Sequence, residues 1–350
     1  MGKRNRRPRS TLQDRNSIRI DGQQYDVKDR IRLRGQLYLV LDRLAAPPRE
    51  RFLVCDTSAG MQLRTLLVLP NGDATAQHLS VLRNLRNPHL PQIYNLHRQK
   101  DRTQVVLSWT RGIDLGEYLR RIECGEVNPP TPSHAVRLIH GIAQGLTTLH
   151  RHARIIHGDL KPENLILSRK PSRLSLIDFG SAWPIERTGF RHSGDGISPI
   201  YFAPEQQDVS TPVDERADQF VASLLLYRLL TMDVAYDGLG GQAGRPQFFD
   251  PDNRPIAPSE SLVHPRFLPR RLRNQLDDVV LTGLALDPGQ RYGTSNAWLD
   301  ALKAVHLQLE LRDASGETRS GLWQRFRHWL TSRRPERQTA RNQPTNDDFD

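Results

Sequence analysis

His157-Gly158-Asp159-Leu160-Lys161-Pro162-Glu163-Asn164 is followed by Asp178-Phe179-Gly180, with Asp178 fourteen residues after Asn164. An acid, a lysine, an amide and a second acid stand here at the spacing that phosphoryl transfer needs. Asp159 can accept a hydroxyl proton, and Lys161 can hold a transferring phosphoryl group. Asn164 and Asp178 offer the hard oxygen donors that Mg²⁺ prefers. A lone Asp or Asn in a loop is usually a turn residue. Four such groups with partners further along the chain are not explained by turn chemistry.

Those partners come in order. Ser198-Pro199-Ile200-Tyr201-Phe202-Ala203-Pro204-Glu205 follows the acid, then Asp218 at the start of an apolar helix, then Leu286-Asp287-Pro288-Gly289-Gln290-Arg291-Tyr292. Together these segments resemble the eukaryotic-type serine/threonine protein kinase family over about residues 38–308. The resemblance implies an α+β, bilobal protein-kinase-like fold, with a small, mainly β N-lobe carrying one helix and a larger, mainly α C-lobe. It implies ATP and Mg²⁺ as cofactors and a protein Ser/Thr side chain as acceptor. Asp159 would be the base, Lys161 the γ-phosphate cation, and Asn164 and Asp178 the metal ligands. Ser108, Trp109 and Thr110 would form the hinge against adenine, with Ile166 beneath it. His157 and Phe179 would pack beneath the loop, Asp218 would anchor its backbone, and Arg291 would pair with Glu205.

The resemblance breaks in the N-lobe. The turn Ala45-Ala46-Pro47-Pro48-Arg49-Glu50 stands where a phosphate-cradling loop belongs, and it has no glycine. Glycine lets backbone N–H groups approach phosphate, and each proline removes a donor. In Arg64-Thr65-Leu66-Leu67-Val68-Leu69-Pro70, Leu67 falls at the phosphate-binding lysine and Thr65 at the small residue over adenine. No lysine lies between Lys28 and Lys100, so a register error cannot restore one. The helix glutamate that would pair with it is replaced by His78, with Gln77 beside it. Losing both charges together is coherent, since either alone would be a desolvated orphan. Three readings follow: an atypical, weak kinase in which Arg49, Arg51 or Arg64 substitutes; a pseudokinase acting as a scaffold or allosteric regulator; or a small-molecule phosphotransferase, whose catalytic loops also carry His-Gly-Asp and Asn. The Ala-Pro-Glu segment and Arg291 favour the protein-kinase branch, since they build a peptide platform. Gly158 also replaces the arginine that usually receives a phosphorylated activation loop. Ser181, Thr188 and Ser193 are therefore not expected to be activating phosphosites.

The 350 residues are 37% hydrophobic, enough for a real core. The only cysteines, Cys55 and Cys124, imply no disulfide framework and suit a reducing, cytoplasmic setting. The Phe220–Tyr227 apolar stretch is far too short to span a bilayer, and no apolar leader precedes the first strands. The net charge of +11 is uneven: +7 in residues 1–34, +2 in 312–350 and +2 in all the rest. Basicity thus belongs to a tail, and nucleic acid is not expected as the main partner.

Alternating patterns predict strands at 38–41, 52–55, 63–69 and 104–107. A helix is expected over 74–85, ending before Pro88. Val136, Ile139, Ala143, Leu146 and Leu149 mark one face of a helix that delivers the chain to His157. Further helices are expected at 220–230, 276–286 and 297–309. The chain divides into a basic, partly disordered extension (1–34), an N-lobe (35–110), a C-lobe (111–309), and a tail (310–350). The extension can add a small β element from residue 17. In the tail, Leu322, Trp323, Phe326, Trp329 and Leu330 form an apolar stripe flanked by arginines. This 322–334 helix would dock on the protein's own body, in a partner's groove, or on an anionic membrane surface, making the protein peripheral to it.

Overall fold

The computed structural model describes residues 17–70, 79–169, 171–185, 200–207, 210–250, 252–262 and 268–314. The chain opens with a hairpin, β1 (Ser17–Ile20) and β2 (Gln23–Asp26), closed by the two-residue turn Asp21-Gly22. Both turn residues have positive φ, +46° and +85°, which a tight turn matching strand twist demands. Arg34-Gly35 repeats the device between β3 (Asp29–Leu33) and β4 (Gln36–Ala45). Then come β5 (Glu50–Asp56), β6 (Gln62–Pro70), β7 (Ile93–Arg98) and β8 (Arg102–Ser108). Among the described residues, β3 to β8 form one antiparallel sheet in the order β3-β4-β5-β6-β8-β7. Its edge strand β3 comes from within residues 1–34, so the sheet begins before the expected lobe boundary.

Alternation gives the sheet two apolar faces. Leu33, Tyr38, Val40, Val54, Leu66, Val68 and Val106 are buried on one. Leu39, Leu41, Leu53, Cys55 and Leu63 lie on the other, where Ile18 and Ile20 of the hairpin cover them. Residues 79–82 are helical, with Leu79 and Leu82 buried; the helix ends at Leu82, three residues before its expected end at Leu85, and its expected start up to His78 lies outside the described residues.

Past the hinge the chain turns helical. Helix α1 (Leu115–Glu123) is capped by Asp114, whose side chain accepts from the Glu117 amide at 2.8 Å. Helix α2 (Pro132–Thr148) starts with Thr131 as cap and Pro132 in its first turn, where a missing N–H costs nothing. Helix α3 (Glu215–Thr231) is buried on nearly every side, as its even apolar composition requires. Helices α4 (Arg270–Gly283) and α5 (Ser295–Ala314) complete the lobe, with α2 packed on α3 and α5. Helix α4 starts six residues before the expected Leu276. Helix α5 runs on to Ala314, so the tail expected from residue 310 is helical at its start. No helix among the described residues is long and apolar enough to cross a membrane. The molecule is bilobal, α+β, with its cleft between the sheet and the helices.

Candidate active site

The fourteen-residue spacing between Asn164 and Asp178 is the length of a hairpin. The short β10 (Ile155–Ile156) enters the loop, and a 3₁₀ turn at Pro162–Asn164 leaves it. Strands β11 (Leu165–Arg169) and β12 (Ser172–Leu176) then fold the chain back on itself. Ile177 donates its amide to the Asn164 carbonyl at 3.0 Å, so the hairpin closes with Asn164 and Asp178 at the same end. The two-residue β9 (Ile113–Asp114) pairs with β11, bringing the post-hinge segment underneath the cleft. Gly112 is required there, because a Cβ would run into the Leu167 carbonyl, a backbone atom that cannot yield.

Asp218, only 2% exposed on α3, holds the loop from below. Its carboxylate accepts the amides of His157 at 2.8 Å and Gly158 at 3.1 Å, and bonds His150 Nε2 at 2.8 Å. Burial pushes this carboxyl up, but the His150 bond, the charges of His150 and His157, and the His157 amide outweigh it and hold it below its ordinary value. Gly158 has φ +77°, a conformation glycine adopts without cost, and Gln206 donates to its carbonyl at 3.1 Å. The His157 and Phe179 rings meet edge-to-face with centroids 5.0 Å apart, and His157 Nε2 bonds the Ile177 carbonyl at 3.1 Å. Both residues thus pack beneath the loop, as expected from sequence.

Asp159, Lys161 and Asn164 converge on one oxygen. Lys161 Nζ lies 2.9 Å from Asp159 Oδ2, and Asn164 Nδ2 donates to the same oxygen at 3.0 Å and to the Asp159 carbonyl at 2.8 Å. Neither donor engages Asp159 Oδ1. The Asn164 amide hydrogens are committed to Asp159, so its carbonyl oxygen is the atom available to a cation. Asp178 sits at φ +62°, an uncommon conformation for a residue with a side chain. Its Oδ1 accepts the Gly180 amide at 3.1 Å, and its Oδ2 is paired with Arg51 of β5. Burial pushes the Asp178 carboxyl up; the Arg51 charge, the Gly180 amide and His157 outweigh it and hold it below the usual carboxylate range.

Above these groups lies a cavity of about 290 Å³. Leu44, Arg51, Thr65 and Leu67 of the sheet form its roof. Ser108, Trp109 and Thr110 form its hinge wall, and Ile166, Ile177, Asp178 and Phe179 its floor. The four residues assigned from sequence to nucleotide contact therefore all line it. Ser108 does so without its amide, which donates to the Gln92 carbonyl at 2.8 Å. Trp109 also packs against the cluster under the N-terminal hairpin, and Arg111 beyond it pairs with Asp21 at the hairpin's tip.

The arginine alternatives separate by strand parity. Leu67 and Thr65 line the cleft, so Arg64, one residue off, belongs to the opposite face. It stacks over the Tyr94 ring at 4.0 Å and lies 4.0 Å from Asp56, which removes it from the phosphate candidates. Arg49, in the glycine-free turn, donates to the Gly180 carbonyl at 3.1 Å. Position 78 lies outside the described residues, as do Thr188 and Ser193; Ser181 is buried.

The platform pair is present as read. Arg291 meets Glu205 with two parallel bonds of 2.7 and 2.9 Å, and also donates to the carbonyls of Ala285, Leu286 and Arg216. Sequence reasoning missed Gln206, Asp114 and Glu163, which the fold brings to the loop or the cavity. Asp114 carried a helix-cap signal, and the other two carried none.

A family model described as protein kinase domain matches residues 69–301. That match starts after the strand positions of Arg51 and Leu67. Among curated proteins, the chain is similar to serine/threonine-protein kinase PrkC of Bacillus subtilis, 23% identical over 61% of this chain and 30% of PrkC. It is 30% identical to PknB of Mycolicibacterium smegmatis over 58% of this chain and 30% of PknB. It is likewise 30% identical to ATG1c of Arabidopsis thaliana over 47% of this chain and 22% of ATG1c. The chain thus spans less than a third of the length of these relatives. Among solved structures, the Cydia pomonella granulovirus kinase PK-1 superposes with a TM-score of 0.59 at 18% identity, covering 75% of this chain and 93% of that one. The Mycobacterium tuberculosis PknI kinase domain gives 0.53 at 21%, covering 77% and 96%.

Proposed function

The chain belongs to the protein kinase domain family, and from that premise we propose that it is an ATP-dependent protein serine/threonine kinase of modest turnover. The observation that carries this reading is the convergence of Lys161 and Asn164 on one oxygen of Asp159 beside Asp178, under a cavity lined by the hinge. Members of the family use ATP and Mg²⁺. The donors present fit that metal: one carboxylate and one amide oxygen are what Mg²⁺ takes from protein when phosphate supplies further ligands. Among the described residues no three His, Cys, Asp or Glu side chains gather as an all-protein cage. Asn164 and Asp178 would hold Mg²⁺, which when bound neutralises charge on the phosphates.

In the proposed reaction a protein hydroxyl oxygen bonds to the γ-phosphorus while the bond from that phosphorus to the β-bridging oxygen breaks, releasing ADP. Asp159 takes the hydroxyl proton, and Lys161 stabilises the transferring group. The Glu205–Arg291 pair supports a peptide acceptor over a small molecule. Modest turnover is proposed because the turn over the phosphates offers two prolines and no glycine, and positioning supplies much of the rate in this chemistry.

A thermal-shift titration with Mg·ATP tests the reading. Ligand at about a hundred times Kd stabilises a fold by about 2.7 kcal/mol, so a clear rise in melting temperature is expected. Asp178→Asn should remove the part of that rise that depends on Mg²⁺. A wild-type chain that Mg·ATP does not stabilise overturns the proposal. A chain that binds ATP but moves no phosphate to any protein, and whose cellular role survives Asp159→Ala, is a pseudokinase. The Arg51–Asp178 pairing, which occupies a metal ligand, is what favours that second reading.

The proposal extends to a cytoplasmic setting and to the tail. The stripe of Trp323, Phe326 and Trp329 lies outside the described residues, and its arginines suit an anionic bilayer. Co-sedimentation of the full chain with phosphatidylserine-containing vesicles is expected, and should be lost in the Trp323→Ala, Trp329→Ala double variant. Unchanged sedimentation of that variant would exclude insertion through the stripe.

A further inference from the structure

We propose that Arg51 is the phosphate-gripping cation of this site, taking over from a neighbouring strand the task that Leu67 leaves without a charge. The inference rests on the nucleotide reading above and deepens it.

Strands β5 and β6 are antiparallel, and Arg51 is the direct partner of Leu67 in their register. Residues directly opposite have Cβ atoms about 4.5–5.5 Å apart and share a face of the sheet. A cation at position 51 therefore starts one strand away from position 67, over the same cavity. The guanidinium's extra reach covers that offset. Among the described residues lining the cavity, Arg51 is the one Lys or Arg, while Asp114, Glu163 and Asp178 contribute carboxylates. A polyphosphate needs a positive partner there, and among the described lining residues Arg51 supplies it. Lys161 belongs to the catalytic loop, beside Asp159, where it serves the transferring group; Arg64 faces away, and Arg49 is not among the lining residues.

Arg51 is also held in position. Its pairing with Asp178 fixes the guanidinium at the mouth of the metal-ligand turn. Guanidinium has five donors in a planar fork, so it can keep a carboxylate on one edge and meet phosphate oxygens with another. The glycine-free turn fits the same arrangement. Where backbone N–H groups cannot approach phosphate, a side-chain fork from the strand leaving the turn can supply the donors.

A merely structural Arg51 would tie the lobes together through Asp178 and touch no phosphate. The two roles differ in what they make of the ligand's phosphates. The test measures binding of adenosine, ADP and ATP, each with Mg²⁺, to the full-length chain by calorimetry. Arg51→Ala is expected to weaken ADP and ATP by about ten- to a hundredfold, the scale of a charge-assisted phosphate contact. Adenosine should stay within about twofold, since it offers no partner for that charge. Moving the cation across the strand pair, in the Arg51→Leu, Leu67→Lys double variant, should recover most of the lost ATP affinity. Equal losses for adenosine and ATP in Arg51→Ala, or no loss for either, would overturn the proposal. If Arg51→Ala does not fold, the double variant decides alone: wild-type preference for ATP over adenosine supports the proposal, and loss of that preference overturns it. A wild-type chain that binds no ATP defeats the nucleotide reading and this inference together. A wild-type chain that binds ATP, with Arg51→Ala unaffected, defeats this inference alone.

Discussion

Asp159→Asn is expected to lower phosphoryl transfer by about 10²–10⁴-fold, the usual contribution of a positioned acid–base group. The substitution keeps the shape of the side chain, so the fold and the cavity should stand. Its effect is on hydrogen-bond polarity. Lys161 Nζ and Asn164 Nδ2 both donate to Oδ2, so the new amide must present its oxygen to them. Its NH₂ group then takes the place of Oδ1. A donor would face the acceptor hydroxyl where a proton has to be received, and the lost function cannot be recovered by rotation. Single-turnover transfer of labelled γ-phosphate, to the chain itself or to a generic basic protein, measures the effect. Mg·ATP binding by thermal shift should remain close to wild type, because Asn164 and Asp178 are untouched. Transfer at the wild-type rate would show that Asp159 does not accept the proton.

Glu205→Ala is expected to cost about 3–5 kcal/mol of stability, the usual penalty for stripping one partner from a buried ion pair. The Arg291 side chain is fully buried and that of Glu205 is 7% exposed, so solvent cannot replace the lost carboxylate. Three backbone carbonyls remain on the guanidinium, and they satisfy donors without neutralising charge. Against a typical net stability of about 5–15 kcal/mol, this is a large fraction. Removing both charges in the Glu205→Ala, Arg291→Met double variant should recover a substantial part, since two apolar residues leave no orphan. Urea unfolding of the wild type, the Glu205→Ala and Arg291→Met single variants and the double variant measures the coupling. A loss below about 1 kcal/mol in the single variant would mean that water reaches the guanidinium.

The catalytic-loop half of the site was legible because its partners lie close in sequence or carry distinctive residue types. Asp159, Lys161 and Asn164 are held within one loop, and their mutual bonds follow from local geometry. The Glu205–Arg291 pair spans many residues, yet each partner sits in a segment distinctive enough to be recognised. Strand β7 was not legible: Ile-Tyr-Asn-Leu-His-Arg alternates weakly, and as an edge strand it buries only Ile93 fully. The β11–β12 hairpin was hidden as well, although its length sets the interval between Asn164 and Asp178. Helix α5 ran past its expected end because its last turns are solvent-facing, as Leu311 shows, so no apolar period marked them.

The upper half of the site divides differently. Residue identity alone shows the missing lysine, because none lies between Lys28 and Lys100 on either side of Leu67. It also left Arg49, Arg51 and Arg64 as the nearby arginines that can substitute. Of these, the fold puts Arg51 in the cavity wall and Arg64 on the opposite face of the sheet, which only the tertiary structure decided. The physical reason is that side chains alternate across a strand, so a shift of one residue reverses the face. The β4–β5 ladder carries two irregularities, between Val40 and Asp42 and between Arg43 and Ala45, so pairing cannot be counted along the chain. Residue identity decides what chemistry is possible, whereas strand register, fixed by the packing of both sheet faces, decides which groups meet across the cleft.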